Sequence, residues 1–142
     1  MTVDAMKKQI LPGCAAALFS LAAAIGSVSF LGPCVHEDGT IGACHWAGQA
    51  LLGTGLAAFA ISLAAVLFRK ARFGLYLGMI PVCLLGILTP GTLIGLCRMD
   101  TMRCRAVMQP ATILLFAAAG LAAMWGAAAC AREKNGKSVR RS

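Results

Sequence analysis

Four uninterrupted apolar runs, at residues 10–32, 46–68, 73–96 and 107–131, dominate the chain, and none contains an Asp, Glu, Lys or Arg. Each reaches at least about 20 residues, the length an α-helix needs to cross roughly 30 Å of hydrocarbon. The runs lack the apolar/polar alternation of a closed β-barrel. A chain segment in lipid must satisfy its own backbone hydrogen bonds, so the helix is the remaining solution. The expected fold is therefore all-α: a polytopic membrane protein with a four-transmembrane-helix bundle and short outer loops over 10–131. A flank at 1–9 precedes the bundle and a basic tail at 132–142 follows it.

Composition supports the bilayer over a soluble core. The 142 residues suffice for one domain, and 59% are hydrophobic against 13% charged. Soluble domains carry about 25% charged residues, and a domain this small buries only part of its apolar surface. The net charge of +8 does not point to nucleic acid, because the basic residues bracket the apolar runs. There they set topology and meet anionic head groups. Lys7 and Lys8 before the first run resemble a signal-peptide start. That run exceeds a signal core, however, no clean small-x-small site follows it, and Pro33 before Cys34 spoils a lipoprotein cleavage box. It is read as a retained helix.

Short-loop charge sets direction. Lys7 and Lys8, then Arg69, Lys70 and Arg72, then Arg132, Lys134, Lys137, Arg140 and Arg141 fall on one side of an even-numbered bundle. That is ten of the thirteen basic residues; Arg98, Arg103 and Arg105 fall on the other. Both termini are expected in the cytoplasm of a bacterial inner membrane.

Small residues let membrane helices approach closely. Gly74-x-x-x-Gly78 and Gly91-x-x-x-Gly95, with Gly55 and Gly120, are expected to pack inside the bundle, with a homo-oligomer interface as the alternative. Pro81 and Pro90 are expected to kink the third helix. Gln49, Thr54, Thr89, Thr92, Gln109 and Thr112 are expected to hydrogen-bond between helices beneath the outer loops. Trp46 marks the outer interface and Trp125 the inner part of the fourth helix.

The seven cysteines sort by side. Cys14 and Cys130 lie toward the cytoplasmic ends and read, with Cys83, as small hydrophobes. Cys34, Cys44, Cys97 and Cys104 face an oxidising compartment, so two disulfides or redox-active pairs are expected there. Three connectivities exist. Pairing within each loop, Cys34–Cys44 and Cys97–Cys104, is favoured over crossed pairing between loops. His36 and His45 are the only histidines and sit beside these cysteines, with Met99 and Met102 nearby. Cys, His and Met together suit soft metals, but no tight Cys-x-x-Cys pair exists and oxidised cysteines bind no metal. Arg98, Arg103 and Arg105 would make nearby thiols more reactive, or pair with Glu37, Asp38 and Asp100.

The stretch Cys44-His45-Trp46-Ala47-Gly48-Gln49-Ala50 resembles the uncharacterised four-span bacterial family numbered 4418 among the domains of unknown function. So do Pro90-Gly91-Thr92-Leu93-Ile94-Gly95-Leu96-Cys97 and Met102-Arg103-Cys104-Arg105. The likeness covers essentially residues 10–130 and departs at Gly48 and Leu51, where a larger polar residue and an acidic one are expected. It implies the four-span fold and paired outer cysteines, and no activity. A looser, architectural likeness is to quinone-linked disulfide-forming oxidoreductases, which have four spans and a cysteine pair in each outer loop. Their Cys-x-x-Cys is missing here.

Three functions are compatible with these residues. The favoured one is a non-enzymatic accessory subunit with disulfide-stapled outer loops, partnering a membrane protein such as a transporter, or a second copy of itself, and using no cofactor. The second is a thiol–disulfide oxidoreductase, with Cys97 and Cys104 reactive and Cys34 and Cys44 exchanging. The third is soft-metal binding or export through His36, His45, Met99, Met102 and the outer cysteines. Serine–histidine–acid groupings, phosphate loops and intramembrane carboxylates are missing, so hydrolysis and proton pumping have no support.

Overall fold

A computed structural model describes residues 3–29, 43–96 and 104–139, with side chains over 7–29, 43–96 and 104–136. Among these residues the chain forms four α-helices: α1 (Val3–Val28), α2 (Ala43–Leu67), α3 (Arg72–Leu88) and α4 (Gln109–Val139), the last entered through a π-helical turn at Cys104–Met108. Each helix packs on its neighbours in the chain, and α4 closes the ring against α1. The start of α1 and the end of α4 therefore share one end of the bundle.

Three helical stretches are long and apolar enough to cross a membrane: Lys7–Val28, Ala43–Leu67 and Cys104–Gly136. The third apolar run departs from expectation. Read as a helix over 73–96, it is helical only through Leu88, so α3 rises ~25 Å at 1.5 Å per residue. Pro90 has no N–H to continue the ladder. Gly91 then turns the backbone with φ +94°, a conformation that suits glycine. The N–H groups of Leu93 and Ile94 fold back onto the carbonyls of Leu88 and Thr89. Pro81 lies inside α3, whereas Pro90 ends it rather than kinking it.

The packing inverts the soluble pattern. Ala16, Ala23, Ala47, Ala58, Ala65, Ala119 and Ala123 are fully buried. Leu18, Leu67, Leu114 and Leu121 are each more than 60% exposed. A single soluble domain would not leave so much large apolar surface in water; lipid covers it, and small residues let the helices touch. The chain is a membrane protein with an all-α fold.

The close approaches are only partly the ones that the Gly-x-x-x-Gly spacing suggests: Gly91 lies against Gln109, and its three companions in the two pairs do not pack closely. A Cβ on Gly74, Gly78 or Gly95 would meet nothing within 4 Å. The buried register of α3 is Arg72, Tyr76, Met79, Cys83 and Gly86, which turns Gly74 and Gly78 outward. Tight contacts fall at Gly55, as expected, and at Gly86 and Gly126, which the sequence pattern does not single out. A Cβ on Gly55 would lie 2.9 Å from Ala24 Cβ, one on Gly86 2.6 Å from the Phe116 ring, and one on Gly126 2.7 Å from the Tyr76 ring. A Cβ on Gly120 would make only an ordinary contact with Cys83, at 3.4 Å.

Candidate functional site

The end of the bundle opposite the termini carries most of the residues singled out in the sequence. Cys44 is the second residue of α2, and Cys104 opens the π turn leading into α4. Their Sγ atoms lie 3.3 Å apart. Both are buried, at 2% and 0% exposure. The juxtaposition therefore joins the two far-end connections, the crossed kind of pairing.

Local sequence explains how Cys104 gets there. Pro110 follows the π turn by two residues and cannot donate into the preceding turn. A π turn passes its hydrogen bonds to the fifth residue back, and such turns recur at functional sites. Cys104 and Met108 both face inward from this turn. Thr112 donates to Met108 O at 2.8 Å, which supports the exit from the turn. Gln109 Nε2 reaches Pro90 O at 3.4 Å, tying the start of α4 to the segment after α3. Gly91 leaves room for it, because a Cβ there would lie 2.7 Å from that nitrogen.

The other polar groups behave differently from the expected inter-helix bonding. Thr54 donates to Ala50 O, Thr89 to Leu85 O and Thr112 to Met108 O, each four residues back in its own helix. A threonine hydroxyl finds that carbonyl without a second helix. Only Gln109 among the six has an observed bond crossing between segments. Thr92 and Gln49 are exposed.

His45 and Trp46 are exposed and meet edge to face, with ring centroids 5.9 Å apart at 84°. A shallow cavity of about 120 Å³ runs between His45, Gly48, Gln49 and Val28. Arg105 is exposed. Cys34, His36, Cys97, Arg98, Met99, Met102 and Arg103 lie outside the described residues. Among the described residues no group of three or more His, Cys, Asp or Glu could hold a metal. Two thiolates on one tetrahedral zinc would sit about 3.8 Å apart at 2.3 Å bonds, wider than the Cys44–Cys104 separation of 3.3 Å. Gly48 and Leu51 are buried on the α2 face that also carries Cys44. Leu51 thus puts hydrocarbon where the family resemblance leads one to expect a carboxylate.

The termini end holds a polar cluster that sequence reasoning missed. Arg72 is only 3% exposed. Its Nε donates to Ala65 O at 2.7 Å and its second terminal nitrogen to Val66 O at 3.0 Å. These are among the last carbonyls of α2, which a helix leaves without intrahelical partners. Its first terminal nitrogen donates to Gln9 Oε1 at 3.1 Å. Gln9 Nε2 donates to Glu133 Oε2, and the Tyr76 hydroxyl donates to Gln9 O at 2.8 Å. One glutamine thus links α1 to α3 and α4, while Arg72 ties the start of α3 to the end of α2. The signal in the sequence was partial: α2 ends with no glycine to cap it, which leaves its last carbonyls open to a basic side chain, but nothing there selects Arg72 over Arg69 or Lys70.

The family model described as Domain of unknown function (DUF4418) matches residues 16–134. No curated protein and no solved structure matches the chain.

Proposed function

We propose that this chain, which belongs to the DUF4418 family, is a non-enzymatic accessory subunit of a bacterial inner membrane. In this reading it spans with both termini in the cytoplasm and presents a rigid, cross-stapled outer face to a membrane partner. The observation that carries the reading is the buried approach of Cys44 and Cys104 Sγ at 3.3 Å. A disulfide needs about 2.05 Å, so the two sulfurs would have to draw together by ~1 Å to join. Oxidation of the two thiols, before the bundle closes over them, releases two protons and two electrons, and an external disulfide takes them up and becomes two thiols.

Burial favours a staple over an exchanging pair. An oxidoreductase must offer a sulfur to an incoming thiolate, and Cys44 and Cys104 are 2% and 0% exposed. The direction of insertion rests on the basic bias, ten residues against three, as the positive-inside rule reads it. The accessory role is supported by the inert, small-residue interior and by the exposed His45, Trp46 and Gln49 on the stapled face.

Alkylation of intact cells followed by non-reducing peptide mapping tests the staple. The expected product is a Cys44–Cys104 linked peptide, with Cys34 and Cys97 left to each other. Linked peptides confined to Cys34–Cys44 and Cys97–Cys104 would overturn it. The accessory role is tested by native electrophoresis of mildly solubilised membranes. The expected band lies well above the 14.6 kDa chain; migration as a lone chain would reject the role.

A further inference from the structure

The termini end of α4 is flanked by a cleft against α1, about 550 Å³ in volume, whose lining includes Lys8, Trp125, Ala128, Ala129 and Arg132. We infer that this cleft binds an anionic phospholipid, with the headgroup phosphate held between Lys8 and Arg132 and an acyl chain lying along Ala128, Ala129 and Trp125.

The chemistry is layered as a lipid is layered. Lys8 and Arg132 are exposed and sit at the rim. Trp125, 63% exposed, precedes Arg132 by seven residues, which sets its backbone ~10 Å deeper along the helix. An indole at that depth belongs to the interfacial belt. Between them Ala128 and Ala129 keep the wall low, so a hydrocarbon chain can lie in contact with α4. The acid in the lining is Glu133, which accepts a hydrogen bond from Gln9 Nε2 and keeps its charge; two cations against this one carboxylate still leave the lining net positive. A free phosphate would use the two cations and leave the indole and alanine wall unused. Basic pockets between membrane helices are a recurring form of headgroup recognition. A second cleft, about 760 Å³, flanks the other side of α4 and carries Lys70 and Lys134. It supplies an internal control with the same number of basic residues.

Trp125 reports on the cleft directly, since Trp46 is the only other tryptophan. A Trp46→Phe variant is reconstituted in vesicles holding equal mole fractions of brominated phosphatidylglycerol or brominated phosphatidylcholine. Phosphatidylglycerol is expected to quench Trp125 preferentially, the lipid association constant being higher by about fivefold or more. Lys8→Gln with Arg132→Gln should remove that preference. Lys70→Gln with Lys134→Gln, which changes the net charge equally, should leave most of it. Equal quenching by the two lipids overturns the inference, as does equal loss of preference in the two double variants, which would mark diffuse surface charge. If Trp46→Phe does not fold, the parent chain with both tryptophans serves, with the same two double variants read as differences.

Discussion

At the termini end, Gln9, Arg72, Tyr76 and Glu133 lock four helix ends together through hydrogen bonds to amides, carbonyls and a carboxylate. At the far end the corresponding close contact is between two sulfurs, Cys44 and Cys104, beside a π turn. The first kind of tie holds whatever the redox state of the surroundings. The second would change strength if the thiols were oxidised as proposed: a bridge between positions 44 and 104 would make a chain-entropy contribution among the larger values for single bridges. In the proposed reading the bundle has one end fixed by its own polarity and one end that an oxidising compartment would tighten. This fits a cytoplasmic termini end and an oxidising far side.

The sharpest way to break the comparison is at Arg72. Arg72→Ala leaves two α2 carbonyls and the Gln9 amide without their donor, in a site only 3% exposed. The expected loss is about 3 kcal/mol or more of stability, measured by SDS titration in mixed micelles with far-UV circular dichroism. Arg72→Lys should recover less than half of it, because an ammonium does not reproduce the planar fork. A loss under about 1 kcal/mol for Arg72→Ala would mean the cluster is decorative and the two ends are not held differently.

Arg72 also shows where the sequence stopped being legible. As text it is one of ten basic residues at helix ends, and the topology rule uses it correctly without asking where its side chain goes. Its burial follows from the short turn between α2 and α3, a three-dimensional fact. The four helices were legible because no charge interrupts the runs. The early end of α3 was not, because residues 89–96 stay apolar through a turn that Pro90 and Gly91 impose. Hydroxyls such as Thr54 and Thr89 advertise polarity but not direction, and these two are satisfied by the carbonyl four residues back. For the cysteines, spacing fixes which side they face. It cannot choose among three connectivities, and the bundle brings Cys44 to Cys104 across sixty positions of chain.

A smaller effect sharpens the comparison at Tyr76. A Cβ on Gly126 would press to 2.7 Å on the Tyr76 ring, whereas one on Gly74 meets open space. Gly126→Ala should therefore cost about 1–2 kcal/mol net, and Gly74→Ala should gain up to about 1 kcal/mol from helix propensity. The same titration checks both. Equal effects would mean that Tyr76 is free to move and that the ring is no part of the lock.

The smallest effect is the most specific. Tyr76→Phe keeps the ring that fills the space beside Gly126 and removes only the hydroxyl that donates to Gln9 O at 2.8 Å. That carbonyl has a second lone pair and can keep a backbone partner one turn along α1, so it is not stranded and the cost should be about 1 kcal/mol. Because the bond belongs to the redox-indifferent end, the cost should be the same with and without a membrane-permeant reductant. If reduction of the protein roughly doubled it, the two ends would be coupled through the helices, as non-additive effects between linked sites are. The lock at the termini end would then have to be understood as working only while the two sulfurs at the far end are joined.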